Sequence, residues 1–83
     1  MTAKKWFRIP LGESTGELVG STLIDLGFSF SDGEHIDGQG RSVRIVPPYL
    51  HIGIPASDTV SEQEQLEYLV GLLGLDEDNI EAL

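Results

Sequence analysis

Residues 43–55 read VRIVPPYLHIGIP, the most apolar stretch of the chain, and two adjacent prolines divide it. Before the prolines the apolar residues are odd-numbered, Val43 and Ile45. After them they are even-numbered, Leu50, Ile52 and Ile54. Side chains on a strand alternate faces with a period of two, so a slip of one residue turns every one of them over. A single regular strand cannot hold that change of parity. If the chain reverses at Pro47-Pro48, Ile45 falls opposite Leu50 and Val43 opposite Ile52 on one face, while Arg44 meets His51 and Val46 meets Tyr49 on the other. The usual two-residue hairpin turns need positive φ, which proline cannot adopt. The turn type that fits carries a cis proline at its third position, here Pro48. The competing solution is a trans bulge or corner that resets the phase without reversing direction.

The flanking segments alternate between strand and helix signals. In KKWFRIPL, Lys5, Phe7, Ile9 and Leu11 alternate with Trp6 and Arg8, the pattern of a half-buried strand that Pro10 closes. In GESTGELVGSTLIDLGF, Ser14 and Glu17 have capping-box spacing. Leu18, Val19, Thr22, Leu23 and Leu26 share one helical face, and Gly27 stands where a C-terminal cap belongs. Gly16 and Gly20 each weaken such a helix by up to about 1 kcal/mol relative to alanine, so it depends on tertiary packing. FSFSDGEHIDGQGRSVRIV reads as a hairpin whose turn chemistry runs from Asp32 to Gly40. In TVSEQEQLEYLVGLLGL, Thr59 with Glu62 and Ser61 with Glu64 are overlapping start signals. Leu66, Leu69, Val70 and Leu73 form the buried stripe, and Gly74 is the stop. Acidic residues in its first turn suit the helix dipole. Asp76 caps a further short turn in the acidic segment 75–83, a docked turn or a tail.

The resulting order is β-α-β-β-β-α. Two amphipathic helices and four strands with one apolar face each fit an α+β two-layer sandwich, with both helices on one face of a mainly antiparallel four-stranded sheet. The first helix serves as a right-handed crossover if the strands it joins lie parallel. A chain of 83 residues supports a single small domain over 1–83. It contains no cysteine, so neither disulfides nor thiolate metal sites support the fold and no cysteine nucleophile is available. No apolar run is long enough for a membrane span. MTAKKWFRIP carries positive charge without the apolar stretch of a secretion signal, so cytoplasmic placement is the expectation.

Charge narrows the partners. Fourteen acidic and five basic residues give a net charge of −9, and no Lys or Arg follows Arg44. The acidic C-terminal half repels phosphate backbones, which disfavours direct binding of nucleic acid. The loop SDGEHIDGQG brings together Asp32, Glu34, His35 and Asp37 but departs from the calcium-loop pattern, with Ile at position 36 and no distal Glu. His35 and His51 form no HExxH arrangement, and GQG lacks the GK[ST] of a phosphate loop and leads into a strand. Without a G-x-S-x-G elbow or any other catalytic signature, the chain is read as a non-enzyme with no metal and no cofactor.

One face of the expected sheet is left uncovered, and alternation places Trp6, Arg8, Ser29, Arg44, Val46, Tyr49 and His51 on it. Trp, Tyr and Arg combine large contact area with polar reach and are enriched at binding hot spots. The expected function is a small acidic protein-binding module that docks a protein partner, or a second copy of itself, through Trp6, Arg8, Arg44, Tyr49 and His51 or through an edge strand. The alternative is a nucleic-acid-mimicking inhibitor, of the phage or viral type, that blocks a DNA- or RNA-binding host protein. Glu64, Glu67, Asp76, Glu77 and Asp78 would then stand in for phosphates. Glu64 and Glu67 share a helical face about 5–6 Å apart.

Overall fold

The computed structural model describes residues 4–13 and 15–83. In chain order the elements are β1 (Lys4–Pro10), α1 (Gly16–Asp25), β2 (Ser29–Ser31), β3 (Glu34–Ile36), β4 (Ser42–Val46), β5 (Tyr49–Pro55) and α2 (Glu62–Leu73). A single 3-10 turn (Glu77–Asn79) and β6 (Glu81–Ala82) follow. The sheet order is β2-β3-β4-β5-β1-β6 and every neighbouring pair is antiparallel. The α+β class is as expected, but the sheet has six strands instead of four.

The register flip is resolved by reversal. The Pro47-Pro48 peptide is cis, and β4 and β5 pair as Val43 with Ile52, Arg44 with His51, Ile45 with Leu50 and Val46 with Tyr49. The two extra strands come from segments read as turn and tail. Asp32 and Gly33 both have positive φ, 53° and 79°, as a two-residue hairpin turn requires. They join β2 to β3 directly, so residues 34–36 form a strand and the return to β4 is a separate turn. At the other end, Leu75 and Ile80 pack against the core and β6 adds to the free edge of β1, where Phe7 pairs with Ala82. The segment 75–83 is therefore a docked turn that ends in a strand.

β1 and β2 run in the same direction but stand three strands apart, so α1 carries the chain across the sheet between strands that are not neighbours. The helix begins at Thr15, whose side-chain oxygen accepts the Leu18 amide at 3.2 Å; Ser14, half of the expected capping box, lies outside the described residues. Its buried stripe is also narrower than periodicity suggests. Val19 and Leu23 are buried, whereas Leu18 is 64% exposed and Leu26 lies at the surface. Gly16 and Gly20 complete the inward face, because a Cβ at Gly16 would stand 3.0 Å from Ile45 Cγ2 and one at Gly20 would stand 3.5 Å from Ile45 Cδ1. Gly16, which weakens the helix, is what allows it to lie so close on β4, whereas a methyl group at Gly20 would make only ordinary contact.

α2 begins at Ser61, whose hydroxyl accepts the Glu64 amide at 3.1 Å, and ends at Gly74 in the left-handed region. Leu66, Leu69 and Val70 are buried against Ile9, Val43, Leu50, Ile52 and Ile54 of the sheet, and Leu73 is partly buried beside them. Each fully buried aliphatic side chain contributes roughly 1.5–3 kcal/mol. Both helices lie on this apolar face, and among the described residues no element covers the other face of the sheet.

Candidate binding face

Pairing registers across the four strands β4, β5, β1 and β6 fix which side chains meet on the uncovered face. Arg44 pairs with His51, His51 with Arg8, and Arg8 with Glu81. Arg44 Nε donates to Glu34 Oε1 at 2.8 Å, which extends the row onto β3. The result is one line across five strands, Glu34–Arg44–His51–Arg8–Glu81, with carboxylates at both ends and, between them, two arginines flanking a histidine. Arg8 is bonded to Glu81 through one terminal nitrogen, while its Nε is buried without a hydrogen-bond partner among the described residues. That hydrogen bond, and then the Glu81 charge, raise the Arg8 pKa above its ordinary value, so the guanidinium stays charged.

The aromatic rings flank this row. The Arg8 guanidinium carbon lies 4.5 Å from the centre of the Tyr49 ring, and that of Arg44 lies 5.2 Å from the Trp6 ring, both within cation–π range. Trp6 pairs across the strands with Gly53, and its ring lies on the bare backbone there: a Cβ at Gly53 would stand 2.9 Å from both Cη2 and Cζ2 of the indole. Lys4 Nζ donates to Ser42 Oγ on the same face. All five residues expected to form the binding face, Trp6, Arg8, Arg44, Tyr49 and His51, are therefore brought together on it. Ser29 and Val46 share the face, Val46 exposed at the β4–β5 turn.

No protein-family model, curated protein or solved structure matches the chain. The functional reading consequently rests on the geometry of this face.

The other candidate residues are dispersed. His35 is not in a solvated turn. It sits on β3 facing the helices, 6% exposed, with its ring 4.7 Å from that of Phe30, and its Nδ1 has no partner among the described residues. Asp37 organises the β3–β4 turn instead, accepting from the amides of Gln39 and Arg41 at 2.9 Å and from Arg41 Nε at 2.6 Å. Among the described residues no three His, Asp or Glu side chains are grouped to hold a metal ion. Glu64 and Glu67 are exposed on α2, and Glu67 accepts from Gln63 at 3.0 Å. Asp76, Glu77 and Asp78 lie beyond the far end of α2, with Asp76 capping the 3-10 turn through the Asp78 amide at 3.0 Å. The five acids thus fall into two groups, Glu64 and Glu67 in the first half of α2 and Asp76, Glu77 and Asp78 beyond its C-terminus.

Sequence reasoning missed three contributors to the face. Glu34 and Glu81 lie on short strands read as turn and tail, and Gly53 acquires its role only through the pairing of β1 with β5. It also missed a shallow cavity of about 280 Å³ on the helix side, lined by Leu26, Phe28, Arg41, Tyr68 and Leu72 among others. The exposure of Leu26 and Tyr68 leaves this cavity open at the surface.

Proposed function

We propose that the chain is a protein-binding module whose contact surface is the uncovered sheet face, and not an enzyme. The observation that carries this reading is the pair of arginine–aromatic stacks, Arg44 with Trp6 and Arg8 with Tyr49, held on a sheet face that no helix among the described residues covers. Rings fixed on strands offer large area at little cost in side-chain entropy, and the arginines keep unused donors beside them. The ion pairs to Glu34 and Glu81 hold those guanidinium groups in place before a partner arrives, which reduces the ordering cost of binding. The helix-side cavity has a third such pair, Arg41 at 5.6 Å from the Tyr68 ring, but that arginine is already bonded through Nε to Asp37.

The mimicry reading depends on Glu64, Glu67, Asp76, Glu77 and Asp78. Their separation along α2 and the capping role of Asp76 give it no continuous row of charge, so the sheet face is preferred. The test is affinity capture from a lysate of the source organism with the intact chain and two sets of variants. Trp6→Ala and Tyr49→Ala are each expected to weaken capture by about 30-fold, the loss of a true hot spot of about 2 kcal/mol. Glu64→Gln with Glu67→Gln is expected to leave it unchanged. The reverse outcome, with steep weakening in salt, supports the acidic surface in place of the sheet.

A further inference from the structure

The uncovered face is divided along the strand direction into three rows of different chemistry. Trp6 over Gly53 forms the first, Arg44, His51 and Arg8 the second, and Tyr49 beside Val46 and Pro10 the third. Gly53 and Tyr49 are four residues apart on β5, so the two ring-bearing rows are separated by about 13 Å at the usual strand rise of about 3.3 Å, with the arginine–histidine row midway. An extended peptide has the same rise. Laid along β5, its side chains i, i+2 and i+4 fall over the three rows, while i+1 and i+3 face solvent.

What each row accepts follows from its chemistry. The rings of Trp6 and Tyr49 take large apolar side chains. The middle row takes an acceptor, because Arg44 uses Nε for Glu34 and makes no other hydrogen bond to the described residues, and Arg8 spends one terminal nitrogen on Glu81. Three of the five cations of the chain, Lys4, Arg8 and Arg44, stand on this face, and the row's own carboxylates lie at its two ends. A second copy is a poorer occupant. The sequence of charges from Glu34 to Glu81 reads the same in both directions, so two such faces related by a two-fold axis through their centres place like charges against like.

Resting on the reading of this face as a protein-binding surface, we infer that it takes an extended acidic segment. In this segment a carboxylate is flanked, two positions away on each side, by a large apolar residue: Φ-x-Asp/Glu-x-Φ. Arg8 and Arg44 hold the carboxylate by charge-assisted hydrogen bonds, and Trp6 and Tyr49 fix the register.

The experiment is selection of a displayed random peptide library on the full chain, followed by titration of synthetic peptides monitored by calorimetry, a readout that the Trp6→Ala variant retains. Asp or Glu is expected to be enriched at one position, with apolar residues two places to either side. In the consensus peptide, replacing that Glu by Gln, or moving it by one position, is expected to weaken binding about tenfold or more. Against a chain carrying Arg8→Gln and Arg44→Gln, the Glu and Gln peptides are expected to bind alike. Selected peptides that lack the central acid yet are lost on Trp6→Ala overturn the inference and leave the protein-binding reading intact. If no peptide is selected, or if binding is indifferent to Trp6→Ala and Tyr49→Ala, both fall. A dimer in sedimentation that dissociates on Trp6→Ala overturns it in favour of a second copy.

Discussion

The position of the Trp6 ring is set by what is missing at Gly53. With no Cβ beneath it the indole lies on the β5 backbone, and a methyl group there would come within 2.9 Å of two ring carbons. Gly53→Ala is therefore expected to lift the ring from the sheet and to cost about 1–3 kcal/mol as an overpacking change. The shift in emission of the single tryptophan and the midpoint of chemical denaturation measure the two effects. Tyr49 needs no such bare site, and its partner Arg8 is held from the far side by Glu81. At this scale the identities of the face residues were legible, because alternation alone assigns Trp6, Arg8, Arg44, Tyr49 and His51 to one side. Their partners were not. Gly53 lies 47 positions from Trp6 in sequence and Glu81 lies 73 from Arg8, and no local pattern encodes pairings that only the strand order creates. His35 was misread for a related reason: a histidine among Asp and Gly residues looks solvated until β3 is recognised.

Among the elements, α1 shows how a glycine can be a cost or a requirement according to what faces it. A Cβ at Gly20 meets Ile45 Cδ1 at 3.5 Å and His35 Nε2 at 3.8 Å, ordinary contact distances, whereas one at Gly16 meets Ile45 Cγ2 at 3.0 Å. Gly20→Ala is expected to stabilise the protein by about 0.5–1 kcal/mol through helix propensity. Gly16→Ala is expected to gain less or to destabilise, because Ile45 must shift. Thermal unfolding of the two variants side by side checks the difference. The β4–β5 hairpin was the most legible element, since a parity change at two prolines leaves few solutions. The short strands were not. β2 and β3 have three residues each and β6 has two, too few for an alternation signal, although the Asp32-Gly33 dipeptide marked the first reversal. The α1 stripe was overestimated because periodicity counts Leu18 and Leu26 as inward when Gly16 and Gly20 occupy the contact.

For the whole molecule, the uneven distribution of charge matters more than its sum. The arginines pair with Glu81, Asp37 and Glu34 and Lys5 pairs with Glu62 at 3.4 Å, while Glu17 and Asp25 on α1 and Glu64 and Glu67 on α2 make no ion pair among the described residues. The exposed pairs are weak, and at low ionic strength the self-repulsion of a −9 chain opposes them. The melting temperature is therefore expected to rise as salt is raised from about 10 mM to 0.15 M, where the screening length falls from about 30 Å to about 8 Å. A melting temperature that falls over that range would mean that the attraction within the ion pairs outweighs the repulsion among the unpaired carboxylates. The open sheet face sets Lys4, Arg8 and Arg44 against Glu34 and Glu81, whereas the carboxylates of Glu17, Asp25, Glu64 and Glu67 on the helices make no ion pair among the described residues, so negative charge is concentrated on the helix layer. On a positively charged resin or sensor chip it would adsorb helices down, presenting Trp6 and Tyr49 outward without any engineered tag.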